Sequence, residues 1–184
     1  AKLTNVRKSY EKINISIFDN NYGENLAIRF KYTADLTNIL NKFRDNIFCF
    51  VHSKTRYFYL ENELSRNKIN FCKGPKGNFS LANNSDLIIS IGFQGAAIKA
   101  ASAFKKPILF YSSDKNYFDK LSFLEDNILN KKIVHTFKGL LFTNQEIELI
   151  LSRKKKSEIE LNHLLSKTKI FLELIGLTDQ TIQI

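Results

Sequence analysis

Residues 84–111, NSDLIISIGFQGAAIKAASAFKKPILFY, constrain the fold more than any other stretch. The run LIISI at 87–91 has the composition of a strand, and ILFY at 108–111 is a second one. Between them, Ala96, Ala97, Ile98, Ala100, Ala101, Ala103 and Phe104 give a helix an almost wholly apolar surface, which has to be buried. Pro107 ends that helix, because proline restricts the residue before it and lacks an N–H. Two strands joined by a buried helix form a βαβ unit and therefore a parallel pair. The turn Gly92-Phe93-Gln94-Gly95 then stands at the carboxyl end of a strand and at a helix N-terminus. Open α/β sheets bind ligands there, and free N–H groups at that point suit a phosphate.

The alternation extends to both sides. INISIF (13–18), IFCFV (47–51) and INFC (69–72) read as strands. Residues 24–44 are helical in period through Leu26, Phe30, Leu36, Ile39, Leu40 and Phe43, and 56–66 through Phe58, Leu60 and Leu64. Residues 79–83 make at most one helical turn. After the central unit, 117–129 reads as helix and IVHTF (133–137) as a sixth strand. Thr143 and Glu146 form a capping box that opens a helical pattern running to Ile175, with Gly176 as its stop. Arg153, Lys154, Lys155 and Lys156 interrupt its apolar stripe, which leaves open one helix or two. The pattern predicts an α/β fold: a doubly wound, mainly parallel, six-stranded Rossmann-like sheet with a long C-terminal helix. Residues 1–142 are expected to form the nucleotide-binding domain. Residues 143–184 are expected to be a helical extension, packed on it or on a partner domain.

A net charge of +10 favours anionic partners: nucleotide phosphates, nucleic acid or an anionic membrane face. Solvated surface lysines are the simpler account of the same number. The chain has no Met, even at position 1, which suggests a trimmed fragment whose partner domain is missing. The longest apolar runs are strand-length, and no apolar stretch follows Lys2, Arg7 and Lys8 as a signal peptide requires. Cys49 and Cys72 sit in apolar runs, as buried reduced thiols of a cytoplasmic protein do. The expected location is the cytoplasm, including the cytoplasmic face of the inner membrane. His52, His135 and His163 have no zinc spacing, and no metal is expected.

In a parallel sheet the loops after the strands converge on one edge. That edge collects Asp19, Asn20, His52, Lys54, Lys73, Gly74, Gly92, Phe93, Gln94, Gly95, Ser112 and Ser113, with Lys99 on the helix beyond the turn. Singly, each reads as an exposed loop residue. Together, cations and glycine turns suit a diphosphate better than general acid–base hydrolysis. The turn is not the G-x-G-x-x-G dinucleotide fingerprint, and Lys73-Gly74-Pro75-Lys76-Gly77 lacks the G-K-[ST] end of a P-loop. No nucleophile elbow is present, and no catalytic residue is assignable.

SLANNSDLIISIGFQGAAIKAASAFKKPILFYSS (80–113) resembles the nucleotide-binding segment of GT-B glycosyltransferases, above all the CDP-glycerol glycerophosphotransferase and capsule Kdo-transferase kinds of bacterial surface-polysaccharide enzyme. In those families a segment of the form "ADLVIS…S-x-x-x-EAL…GKPVI" follows the third strand of the C-terminal domain. Residues 85–90 (SDLIIS) are similar to its start and 105–108 (KKPI) to its end; FVHSKT (50–55) is loosely similar to the family's K-x-H-P strand end. The chain departs from the pattern at Lys99, where the family has an acidic residue, at Ser53 in place of proline, and at Phe93 and Gln94 in place of Ser or Thr. The resemblance implies the donor-binding half of a two-domain enzyme, with a nucleotide-activated sugar as substrate, no other cofactor and no metal. An N-terminal Rossmann-like domain would carry the acceptor site, so this piece alone would transfer little. Peripheral association with an anionic membrane is a further expectation.

Two other readings compete. Residues 91–99 (IGFQGAAIK) match the I-G-x-x-G-x-x-I-K pattern of an RNA-binding KH module, in which the GXXG loop clamps the nucleic-acid backbone. That fold needs a helix before the loop, whereas 87–91 has strand composition, so nucleic acid is the less favoured partner. The other is a Rossmann-like interaction domain without catalysis.

Overall fold

The β-branched and aromatic runs pair as one six-stranded sheet in the computed structural model, which describes residues 12–19, 26–53, 58–75, 78–114, 116, 127–153 and 159–177. The strands are β1 (Ile13–Asp19), β2 (Ile47–Ser53), β3 (Phe71–Lys73), β4 (Leu87–Ile91), β5 (Ile108–Tyr111) and β6 (Leu141–Phe142). Their order is β3-β2-β1-β4-β5-β6, and every pairing is parallel. This is the doubly wound, Rossmann-like α/β arrangement, and its direction of winding reverses between β1 and β4. β1 is central and buried along its whole length, which is why its apolar residues do not need to alternate with polar ones.

Six α-helices are described: α1 (Leu26–Asn41), α2 (Tyr59–Arg66), α3 (Gly95–Phe104), α4 (Ile128–Lys138), α5 (Asn144–Leu151) and α6 (Leu161–Leu174). A 3-10 turn at Ser80–Asn84 precedes β4. α1 packs against α2 and α5 on one face of the sheet; α6 packs against α3 and α4 on the other. α3 buries Ala97, Ile98, Ala100 and Ala101, small residues that let it approach the sheet closely. It ends where Lys105 adopts a left-handed conformation (φ 53) and the Lys106 N–H donates back to the Ala101 carbonyl. Under α3, α4 and α6 lies an aromatic cluster of Phe93, Phe110, Phe137 and Phe171, with ring centroids 4.7–6.1 Å apart.

Two sequence expectations change. The run 133–137 is not the sixth strand; it lies within α4. Ile133 and Phe137, four apart, are both buried on one face of that helix, and Asn127 caps it by accepting from the Asn130 N–H. A five-residue run with three β-branched residues is compatible with either state, and here the helical spacing wins. The sixth strand is instead the two-residue β6. The long C-terminal helix is two helices: α5 ends at Leu151, just before the interruption in the stripe at Arg153, and α6 begins at Leu161. The Glu146 carboxylate accepts from the Thr143 backbone N–H at 2.6 Å, as the capping box predicts, and also from the Thr143 hydroxyl at 2.9 Å. α6 is tied to the sheet: the Ile108 N–H donates to the Thr168 hydroxyl at 3.0 Å. The helix expected at 117–129 lies mostly outside the described residues.

The face of α1 that its helical period predicts is buried at Leu36, Ile39 and Leu40, and polar residues share it. Leu26 is 45% exposed, while Arg29, Tyr32, Thr33 and Thr37 are buried. The Thr33 and Thr37 hydroxyls donate to carbonyls one turn back, so their burial leaves no hydroxyl unsatisfied.

Candidate functional site

The reversal of winding opens a crevice at the carboxyl ends of β1 and β4. On the β4 side the turn is held by its own backbone and by uncharged side chains. Gly92 has φ 72, the left-handed conformation that favours glycine, and its N–H donates to the Tyr111 carbonyl at 2.9 Å. The Ser90 hydroxyl donates to the Gly92 carbonyl at 2.7 Å, and the buried Gln94 amide to the Ile91 carbonyl at 2.7 Å. Phe93 stacks on Phe110 at 5.6 Å and anchors the turn in the aromatic cluster. Gly95 is the first residue of α3, no side chain caps that helix, and a Cβ on Gly95 would meet no atom within 4 Å. Gly95 is exposed, and the first N–H groups of α3 receive no side-chain cap. Lys99 lies one turn further on and is exposed.

The β1–β3 side is closed by charge. Asp19, 3% exposed, accepts from the Arg29 Nε of α1 at 3.1 Å. Burial still raises the carboxyl above its usual range, outweighing Arg29, and Glu61 adds to the rise. Lys73 Nζ stands 2.8 Å from the Glu61 carboxylate of α2 and 4.1 Å from the centroid of the Phe58 ring. The cation expected to meet a phosphate is thus already paired. His52 is 6% exposed: it lies flat on Phe18 at 4.4 Å, and its Nε2 is 3.2 Å from the Ser16 hydroxyl. Its Nδ1 has no partner among the described residues, and a Cβ on Gly74 would come within 3.3 Å of it. Burial lowers its pKa to about 4, so the imidazole is neutral at pH 7. It packs inside the sheet edge rather than facing the crevice.

At the end of β5, Ser112 is buried and closes its own loop, its hydroxyl accepting from the Asp114 N–H at 3.1 Å; Ser113 is half-buried. Asn20 and Lys54 lie outside the described residues. The β1–β4 register thus sets Asp19 beside the strand end that leads into Gly92, Gln94 and Gly95, while His52 and Phe93 pack against aromatic rings and Lys73 pairs with Glu61. Sequence reasoning missed Arg29, Glu61, Tyr111 and Asn144. The Tyr111 phenol donates to the Asn144 side chain beside Asp35 and Tyr32, and its pKa is raised chiefly by burial. Asp86, which the resemblance matches, sits at the opposite edge, where its carboxylate accepts from the Asn14 N–H at 2.8 Å and clips β1 to β4. Among the described residues, no group of three or more His, Cys, Asp or Glu is placed to hold a metal ion.

Residues 87–91 are a strand, which removes the KH reading: the GXXG sequence here joins a strand to a helix, whereas the KH loop follows a helix. The class these features define is a doubly wound α/β domain with a phosphate-compatible turn at its switch point. No family model matches the sequence, and a search of curated proteins finds no match. Among solved structures, the fold is similar to the catalytic domain of cholesterol-alpha-glucosyltransferase from Helicobacter pylori. That likeness has a TM-score of 0.50 at 11% identity and covers 89% of this chain and 99% of that one. The chain therefore shares its fold with a glycosyltransferase catalytic domain.

Proposed function

We propose that this chain is the donor-binding half of a glycosyltransferase, taking a nucleotide-activated sugar or CDP-activated group for surface-polysaccharide biosynthesis. The observation that carries the reading is the uncapped N-terminus of α3, presented by the Gly92–Gly95 turn at the switch point, where Gly95 is exposed and a side chain on it would meet no atom within 4 Å. A donor diphosphate there meets free N–H groups and the positive end of the helix dipole, about half an elementary charge. Those dipoles hold the leaving diphosphate as the sugar–phosphate bond breaks, without side-chain reorganisation. A second Rossmann-like domain faces the crevice in this reading. Exposed Leu26, Ile28, Phe58, Ile128 and Leu129 support it, since they lie at the starts of α1, α2 and α4, the helix ends on the crevice side. The ion pairs of Asp19 and Lys73 favour the alternative, an interaction domain that binds no nucleotide.

The test is a thermal-shift series with CMP, CDP, UDP and GDP on the wild type and on Gly95→Ala. A nucleotide at ten times its Kd stabilises by about 1.4 kcal/mol, which raises Tm by roughly 3–6 °C. The added methyl enters the space before α3, so it should abolish the shift while leaving the unliganded Tm within about 2 °C, as a methyl without contacts costs little. Absence of any shift at millimolar nucleotide would leave the interaction domain as the reading.

A further inference from the structure

A second concavity lies away from the crevice. It is half-open, holds about 190 Å3, and is lined by residues of α5, α6 and the edge strand β6. Phe142, Ile150 and Leu164 are among its apolar lining, and Arg153, His163 and Lys167 supply cationic or protonatable groups. Glu160 also lines it, 3.9 Å from Arg153, but both side chains are largely exposed and the contact is loose. The guanidinium keeps donors for another anion.

Exposed aliphatics flank these cations. Leu149, which lines the cavity, is 63% exposed, and Ile170 is 52% exposed. His163, Lys167 and Ile170 share one face of α6 by their spacing, and Leu149 precedes Arg153 by one turn at the end of α5. Interleaved cations and exposed aliphatics characterise a surface lying on a membrane: the aliphatics enter the acyl boundary and the cations hold lipid phosphates. The net charge of +10 acts in the same direction. No helix among the described residues is long and apolar enough to cross a membrane, so contact through this face would be peripheral.

We propose that the α5–α6 face docks on an anionic phospholipid bilayer, with one lipid phosphate seated among Arg153, His163 and Lys167 and with Leu149 and Ile170 in the acyl boundary. This docking goes beyond the donor-binding reading and does not depend on it. Flotation with phosphatidylcholine vesicles, with and without phosphatidylglycerol, tests it. The chain should float only with the anionic vesicles, and less as salt rises. Arg153→Glu with Lys167→Glu should weaken partition at least roughly thirtyfold, at about fivefold for each cation removed. Leu149→Ser with Ile170→Ser should also weaken it, at unchanged charge. Lys31→Glu with Lys131→Glu, on exposed positions of α1 and α4, removes the same charge elsewhere and should retain most of the binding. Equal loss in that control would reduce the effect to net charge and overturn the docking face. Failure of the wild type to float would overturn it as well. A wild-type dimer in light scattering, dissociated by the serine pair, would assign the face to a second copy instead. Tm checks that each variant folds, and the nucleotide shift at the crevice, measured in parallel, separates failure here from failure of donor binding.

Discussion

On the β1–β3 side of the crevice the strand ends are closed by side-chain charge: Asp19 meets Arg29, and Lys73 meets Glu61. On the β4 side they are closed by backbone geometry: Gly92 turns, Ser90 and Gln94 satisfy carbonyls, and α3 begins uncapped. The difference shows where affinity for an anion can come from. Lys73, which looks available in the sequence, is paired with Glu61, whereas no side chain caps the N-terminus of α3. In the proposed donor-binding reading, affinity for a phosphate would rest on glycine placement more than on lysine count.

The sharpest way to break this contrast is Arg29→Met. It removes the cation beside the buried Asp19 carboxyl, and removing one partner of a buried pair costs about 3–5 kcal/mol. Urea unfolding at pH 7 should register that loss; a change below about 1 kcal/mol would place the pair with weak surface contacts.

A somewhat smaller effect is expected from His52. Its folded pKa, about 4, lies below the ordinary 6.5, so the unfolded chain takes up the proton first as pH falls. Stability should be full above pH 6.5 and decline towards pH 4, by up to about 1.4 kcal/mol per unit. Asp19 acts in the opposite sense. Its raised pKa contributes stability at the lowest pH, and that contribution is lost as pH rises above 3.8. His52→Phe should flatten the decline between pH 6.5 and 4; an unchanged slope would show that another group titrates there.

Gly92→Ala tests the backbone side. A non-glycine residue at φ 72 costs about 1–2 kcal/mol, so Tm should drop clearly. An unchanged Tm would mean that the turn relaxes to another conformation. The smallest effect belongs to Lys73→Met. Its pair is part-exposed, which limits the loss to about 1 kcal/mol or less, and nucleotide shifts should stay as in the wild type. A weakened nucleotide shift would return Lys73 to the phosphate and undo the contrast.

Much of the frame was legible in the chain. The bounds of β4 and β5 follow from LIISI and ILFY, because runs of that composition between breakers have few alternatives. The α5–α6 break was foreshadowed by four successive basic residues in an apolar stripe. IVHTF misled because five β-branched and aromatic residues suit a strand locally, and only burial of Ile133 and Phe137 under the sheet favours helix. In the site, the glycine turn was legible because Gly92 and Gly95 punctuate a strand-to-helix junction. The pairing of Lys73 was not, because Glu61 lies on a helix whose buried face carries two glutamates among its leucines.

By itself the sequence determined the βαβ unit, its parallel sense and the position of the turn, since these depend on local period and on where glycine and proline fall. Only the tertiary structure decided which charges remain free. Distances between strand ends and helix faces set the pairing of Asp19 and Lys73 and the burial of His52. Those distances arise when the sheet is assembled and are encoded in no single stretch of the chain.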